Sequence, residues 1–142
     1  MMSQLPRIET VLFLQGVDFF SACTADQILR ISAIVHQRQL ATGEKVYGPG
    51  EQAGELYCVV EGAVGTGNGD ASRRVGPGET FGVLEILSGR LRSQAAVADE
   101  DSLVLEITAE DFFDLLSHNI EIVKALFRRI LEQREEHGGG AA

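Results

Sequence analysis

The chain has 142 residues, of which 44% are hydrophobic and 23% charged, with a formal net charge of −9 and a pI near 4.7. That is enough chain for one globular domain with an ordinary core, and too apolar for a disordered segment. The acidic balance argues against a nucleic-acid module, which carries a basic footprint.

No apolar run approaches the length of a membrane-spanning helix, and no basic n-region marks a signal peptide. The chain is therefore expected to be cytoplasmic, with no membrane insertion of its own. The two cysteines, Cys23 and Cys58, form no CxxC and have no histidine cluster nearby. They read as reduced, buried small hydrophobes, not as metal ligands.

The first segment is helical. In RIETVLFLQ, Ile8, Val11, Leu12 and Leu14 form a short stripe after Pro6, and Gly16 ends it. Asp18-Phe19-Phe20 follows as a tight apolar turn. Thr24-Ala-Asp-Gln27 has the form of a capping box, in which hydroxyl and amide satisfy each other's backbone N–H groups. The helix it opens carries Ile28, Leu29, Ile31, Ile34 and Val35 and is expected to run to about His36.

From Gln37 the pattern becomes strand-like. Short β-prone runs at Leu40, Lys45–Tyr47, Leu56–Val60 and Ala63–Val64 are separated by Gly43, Gly48-Pro-Gly50, Gly54 and Gly62. Many short strands with frequent turn signals predict an antiparallel sandwich or barrel. Asn68-Gly69 is a hairpin signal before a strand at Arg73–Val75. Two more strands, Ala95–Ala98 and Leu103–Ile107, flank a turn at Asp99-Glu100-Asp101. Thr108 then caps a helix carrying Phe112, Phe113, Leu115 and Leu116, which Ser117-His118-Asn119 breaks. A last helix from Ile120 carries Ile122, Val123, Leu126, Phe127, Ile130 and Leu131, ahead of a flexible tail from Gly138. No internal repeat is visible.

Chemistry concentrates between Gly76 and Ala98, in GPGETFGVLEILSGRLRSQAAVA. A Gly-rich turn lets backbone approach a ligand closely, and the turn of helix after Phe81-Gly82 presents N–H groups. Arg92, beside Ser93, can supply a two-pronged grip on a phosphate. These are the parts of a phosphate pocket.

The same stretch resembles the phosphate-binding cassette of the cyclic nucleotide-binding domain family, which includes catabolite activator-like proteins and protein kinase A regulatory subunit-like domains. Phe81, Gly82, Leu84, Ile86, Leu87, Gly89, Arg92 and Ser93 follow the family order without a gap. The resemblance extends to Gly43-Glu44, Gly50-Glu51 and Leu56-Tyr57 through Gly62, and covers the chain from about Val11 to Leu131. It implies a mainly β fold with flanking α: an antiparallel jelly roll of about eight strands with N-terminal helices and C-terminal hinge and lid helices. The expected layout is one domain over 1–137, with helices at 5–36, the β-roll at 37–107 and C-terminal helices at 109–135, then a tail at 138–142.

The resemblance also implies a ligand site made by Phe81, Gly82, Val83, Leu84, Arg92, Ser93 and Gln94, with cyclic AMP or cyclic GMP as the possible ligand and no cofactor. Three positions depart from the family pattern. Val83 stands where the family has a glutamate that holds the ribose 2′-hydroxyl, Leu91 replaces a proline, and Gln94 replaces a small residue. Glu85, two residues on, sits about 200° round a helical turn from Val83 and is not expected to replace that glutamate. Arg90 reads as a solvated loop charge.

No nucleophile–base motif and no Walker sequence is present, and His36, His118 and His137 follow no metal spacing, so neither an enzyme nor a metal site is expected. Two functions remain. One is a regulatory sensor that binds a cyclic nucleotide, or a related phosphate ligand, and signals through its C-terminal helices. The other is a degenerate version of the fold that no longer binds nucleotide and serves for protein interaction or oligomerisation. Under the second reading, the opening VLFLQGVDFFSACTADQ and the later EDFFDLL resemble regulatory pieces of bacterial multidomain proteins, which implies a piece of a larger protein; a second copy or neighbouring domains are the expected contacts of the last helix, and no nucleic-acid partner is expected.

Overall fold

The computed structural model describes residues 4–67 and 72–138, with side chains through residue 135. Two four-stranded antiparallel sheets face each other. One is ordered β1 (His36–Leu40), β8 (Ser102–Thr108), β3 (Glu55–Glu61), β6 (Thr80–Phe81). The other is ordered β2 (Lys45–Tyr47), β7 (Ala96–Ala98), β4 (Val64–Thr66), β5 (Arg73–Val75). The helices are α1 (Arg7–Gln15), α2 (Ala25–Ser32), α3 (Val83–Ser88), α4 (Ala109–Ser117) and α5 (Ile120–Gly138), with a 3₁₀ turn at Asp18–Phe20. This is the expected β-roll of eight strands with helices before and after it.

The alternation of β3 explains why nearly all of that strand is apolar. Tyr57 and Val59 point into the roll, against Val64, Val75, Phe81 and Val104. Leu56, Cys58 and Val60 point the other way, under Phe20, Ile28, Phe112 and Ile122 of the helical layer. Successive strand side chains face opposite sides, so a sheet covered on both faces needs apolar residues at every position. The molecule has two cores, one inside the roll and one between roll and helices.

Local signals work as the sequence predicts at several ends. Thr24 and Gln27 form the full capping box of α2, and the Asp111 N–H donates to Thr108 Oγ1 at 3.1 Å. β4 and β5 pair antiparallel, Thr66 opposite Arg73; the Asn68-Gly69 turn itself lies outside the described residues, as does most of the expected tail.

Two helix ends and one apolar stripe differ. Helix α2 ends at Ser32, four residues before the expected His36, because His36 already pairs with Glu106 on β8. Ile34 and Val35 still pack on the helical core, but from the turn. The α1 stripe is half right: Leu14 is buried, while Ile8 and Leu12 are exposed. Helix α5 runs through Gly138, beyond the expected end at 135. Polar residues after Leu131 do not stop a helix when they are good helix formers, as Glu, Gln and Arg are.

Candidate functional site

The cassette begins where β6 stops. Gly82 adopts φ +81°, a left-handed conformation that turns the chain from strand into α3. A Cβ built on it would lie 3.1 Å from Arg92 Nη1. Glycine is needed here for both the backbone turn and the close approach. Gly89 closes α3 in the same left-handed region.

Arg92 enters from the far side of the loop. Its backbone is fixed in both directions: its N–H donates to the Glu51 carbonyl at 2.8 Å, and its carbonyl accepts from Gly50 N–H at 2.7 Å. The glycine-rich corner between β2 and β3 therefore positions the arginine. Its side chain is only 1% exposed. Nη1 donates to the Gly82 carbonyl and to Glu85 Oε1, each at 2.7 Å, and Nη2 donates to the Glu55 carbonyl at 2.5 Å. The guanidinium carbon lies 4.0 Å from the centre of the Tyr47 ring. Burial raises the Tyr47 phenol above its ordinary pKa, against the pull of Arg92, so the ring meets the cation as a neutral π-face. Nε is buried with no hydrogen-bond partner.

A cavity of about 460 Å³ opens in front of this arrangement. Phe81, Gly82, Val83, Leu84, Ser93 and Gln94 line it, six of the seven residues that the sequence singles out. The seventh, Arg92, does not line it. It sits behind Tyr47, Gly82 and Glu85, all of which do. Arg90, two residues away, is exposed and donates to Ser88 Oγ at 3.0 Å. Val83 is 8% exposed and gives the wall an apolar patch.

Other lining residues come from elements remote in sequence. Phe19 comes from the 3₁₀ turn, Thr66 and Arg73 from β4 and β5, and Ile130 and Gln133 from α5. Helix α5 thus covers the cavity as a lid. It is clipped there by Asp18, whose carboxylate accepts from Arg129 Nη2 at 2.8 Å and from the Gln133 amide. Nothing in the sequence of α5 marks Ile130 or Gln133 as facing a cavity; the only available signal was the apolar stripe that includes Ile130.

The acidic turn Asp99-Glu100-Asp101 is held in structural roles. Asp101 accepts from the N–H and hydroxyl of Thr42, at 2.9 and 2.8 Å, and those hydrogen bonds lower its pKa. Asp99 and Glu100 pair with Arg74. Among the described residues no cluster of His, Cys, Asp or Glu has the makings of a metal site.

The chain thus combines a two-sheet roll, a glycine-turned cassette, a buried arginine and a C-terminal helix over one cavity. Residues 37–119 match the cyclic nucleotide-binding domain family, and the chain belongs to it. It is 27% identical over 119 residues to a cyclic nucleotide-gated potassium channel of Rhizobium etli, covering 84% of this chain and 34% of the channel. It is 28% identical over 131 residues to the cyclic AMP receptor protein of Thermus thermophilus, covering 84% of this chain and 60% of that protein. The chain therefore spans about a third of the first relative's length and three fifths of the second's. The N-terminal domain of a transcriptional regulator from Streptomyces coelicolor has the same fold, with a TM-score of 0.77 at 22% identity over 92% of this chain and 95% of that one. No helix among the described residues is long and apolar enough to cross a membrane.

Proposed function

We propose that this chain is a non-catalytic sensor domain that takes a cyclic nucleotide, or a related phosphate ligand, in the cavity between cassette and α5. The observation that carries this reading is that one cavity is walled by both parts. Gly82 to Glu85, Ser93 and Gln94 form one side, and Ile130 and Gln133 form the other. An occupant contacts cassette and lid together, and α5 is the last element of the described residues. Binding that favours one lid position by about 5 kcal/mol would switch such a helix almost completely. The kinship with a cyclic nucleotide-gated channel and a cyclic AMP receptor supports a cyclic nucleotide as the ligand.

The test is calorimetric titration with cyclic AMP and cyclic GMP, on the wild type and on Ser93→Ala and Gln94→Ala variants. Binding that weakens in both variants supports the site. No heat from a protein shown folded by circular dichroism argues for the second reading, an interaction module with a vestigial pocket. Two observations favour that alternative. Val83 leaves a ribose hydroxyl without a carboxylate partner, an omission worth about 1–3 kcal/mol. Phe127 and Leu131, one turn apart on α5, are 61% and 58% exposed and offer an apolar strip to a second copy or a neighbouring domain.

A further inference from the structure

We infer that Glu85 is a tethered competitor for the anionic group of the ligand, and so a residue that sets which anions the site accepts. This rests on the reading of the cavity as a phosphate site. Its carboxylate holds the place on Arg92 Nη1 that a phosphate oxygen would take, at 2.7 Å. Carboxylate and phosphate oxygens accept from a guanidinium in the same charge-assisted manner. Arg92 is shut away from the cavity, whereas Glu85 lines it with its side chain 22% exposed.

An incoming anion therefore meets Glu85 before it meets the arginine. The two negative groups cannot share one buried guanidinium without repulsion, so the carboxylate must swing away for the anion to engage. Because Glu85 is attached to the chain, it competes at an effective concentration on the order of millimolar or above. The sequence places it between Leu84 and Ile86 on a helix of six residues, and Leu84 is 67% exposed, so a solvent-facing position lies close by. Arg73, the arginine that does line the cavity, pairs among the described residues only with Glu79, at a long 3.9 Å, and its side chain is 61% exposed. It offers a first docking point for an anion on its way in. The predicted behaviour is a site held in check by its own carboxylate, selective for anions that bind a guanidinium more strongly than a carboxylate does.

The experiment compares wild type, Glu85→Gln and Glu85→Ala, each checked by circular dichroism. If Glu85→Ala melts, Glu85→Gln carries the test, because it keeps the side-chain volume and a carbonyl acceptor for Arg92. Each protein is titrated with cyclic AMP and cyclic GMP, and separately melted in rising inorganic phosphate against matched chloride. At least tenfold tighter nucleotide binding in the variants is expected, with phosphate raising their Tm at concentrations that leave the wild type unmoved. Equal or weaker nucleotide binding by the folded variants overturns the inference while leaving the sensor reading in place. If no protein takes nucleotide, the sensor reading fails and the phosphate melts decide alone. A phosphate response confined to the variants then sustains the competitor role, and no difference between the proteins ends it.

Discussion

The floor and the lid of the cavity are both tied down by an ion pair, yet the two pairs are built differently. On the floor, Arg92 is 1% exposed and is held by a carboxylate, two backbone carbonyls and an aromatic face. On the lid, Arg129 is 13% exposed and Asp18 is 49% exposed. Breaking a buried pair leaves a charge and its hydrogen-bond partners stranded, whereas a half-exposed pair exchanges its partner for water. The comparison teaches that the floor is part of the fold and the lid is a latch on it. Under the proposed sensor function, that division would supply one wall that keeps its shape and one that can be released at lower cost.

The largest effect expected from breaking the floor is that of Arg92→Ala. It strands the carbonyls of Gly82 and Glu55 and removes the cation from the Tyr47 ring. The loss of stability should be about 3 kcal/mol, at the lower end for a buried pair because Glu85 can turn to water. Urea denaturation measures it. Arg92→Lys should recover only part, since an ammonium cannot fork between Gly82 and Glu55. Full recovery by lysine would mean that charge alone holds the floor.

Gly82→Ala comes next. The left-handed backbone costs an alanine about 1–2 kcal/mol, and the new methyl group meets Arg92 Nη1 at 3.1 Å. About 2 kcal/mol is the expected loss, again from the shift in urea midpoint. Gly50→Ala makes a useful control, because its φ is +84° but a Cβ there would touch nothing within 4 Å. A smaller loss at Gly50 than at Gly82 would isolate the contact with Arg92 from the backbone strain that both share.

These two residues also show how much of the site was legible in the sequence. Gly82 and Arg92 stand out because glycine turns and arginines have chemistry that survives translation into one-letter code, and the ungapped cassette joins them. The strands of the roll, the Thr24 and Thr108 caps and the apolar helices were readable for the same reason, since each is a local pattern with a local cause. What was not readable is what three-dimensional proximity decides. Glu85 looked like a failed substitute for a ribose anchor, and its bond to Arg92 appears only once the loop from Gly89 to Leu91 has turned back. Arg73, Phe19 and Gln133 reach the cavity from strand, turn and lid separated by scores of residues. The end of α2 was set by strand pairing between His36 and Glu106, a contact 70 residues long in sequence that helix periodicity does not contain.

The two cysteines compare the centre of the helical layer with its edge without any mutation. Cys58 lies on β3, 2% exposed, with its thiol pushed up by burial to about 12. Cys23 is half-buried in the turn before α2, its pKa also raised by burial. A thiol reagent reaches Cys58 only when the helical layer lifts off β3, and Cys23 through local fraying of the turn before α2. Cys23 should therefore react at least about tenfold faster at neutral pH, which corresponds to about 1.4 kcal/mol between the two openings. Mass spectrometry of the labelled peptides gives both rates. Equal rates would mean that the turn before α2 opens only when the whole helical layer lifts.

The smallest effect on stability, and the one most specific to the lid, is that of Asp18→Asn. The substitution removes the charge that faces Arg129 and leaves an amide oxygen able to accept one of the two hydrogen bonds. Asp18 is half exposed and Arg129 keeps Glu132 at 3.8 Å, so the loss should be about 1 kcal/mol and urea unfolding should change little. Hydrogen exchange should change more, because Asp18 fastens α5 near its cavity-facing residues Ile130 and Gln133 while Ile122 and Leu126 stay anchored in the helical core. Faster exchange is expected in the half of α5 beyond Leu126, with β3 and β8 unaffected. If ligand closes the lid through the cavity, bound ligand should restore protection in the variant, as it contacts Gln133 directly. Protection lost equally along all of α5 would instead show that the helix moves as one rigid piece, hinged at Asn119, and that Asp18 holds its position without dividing it.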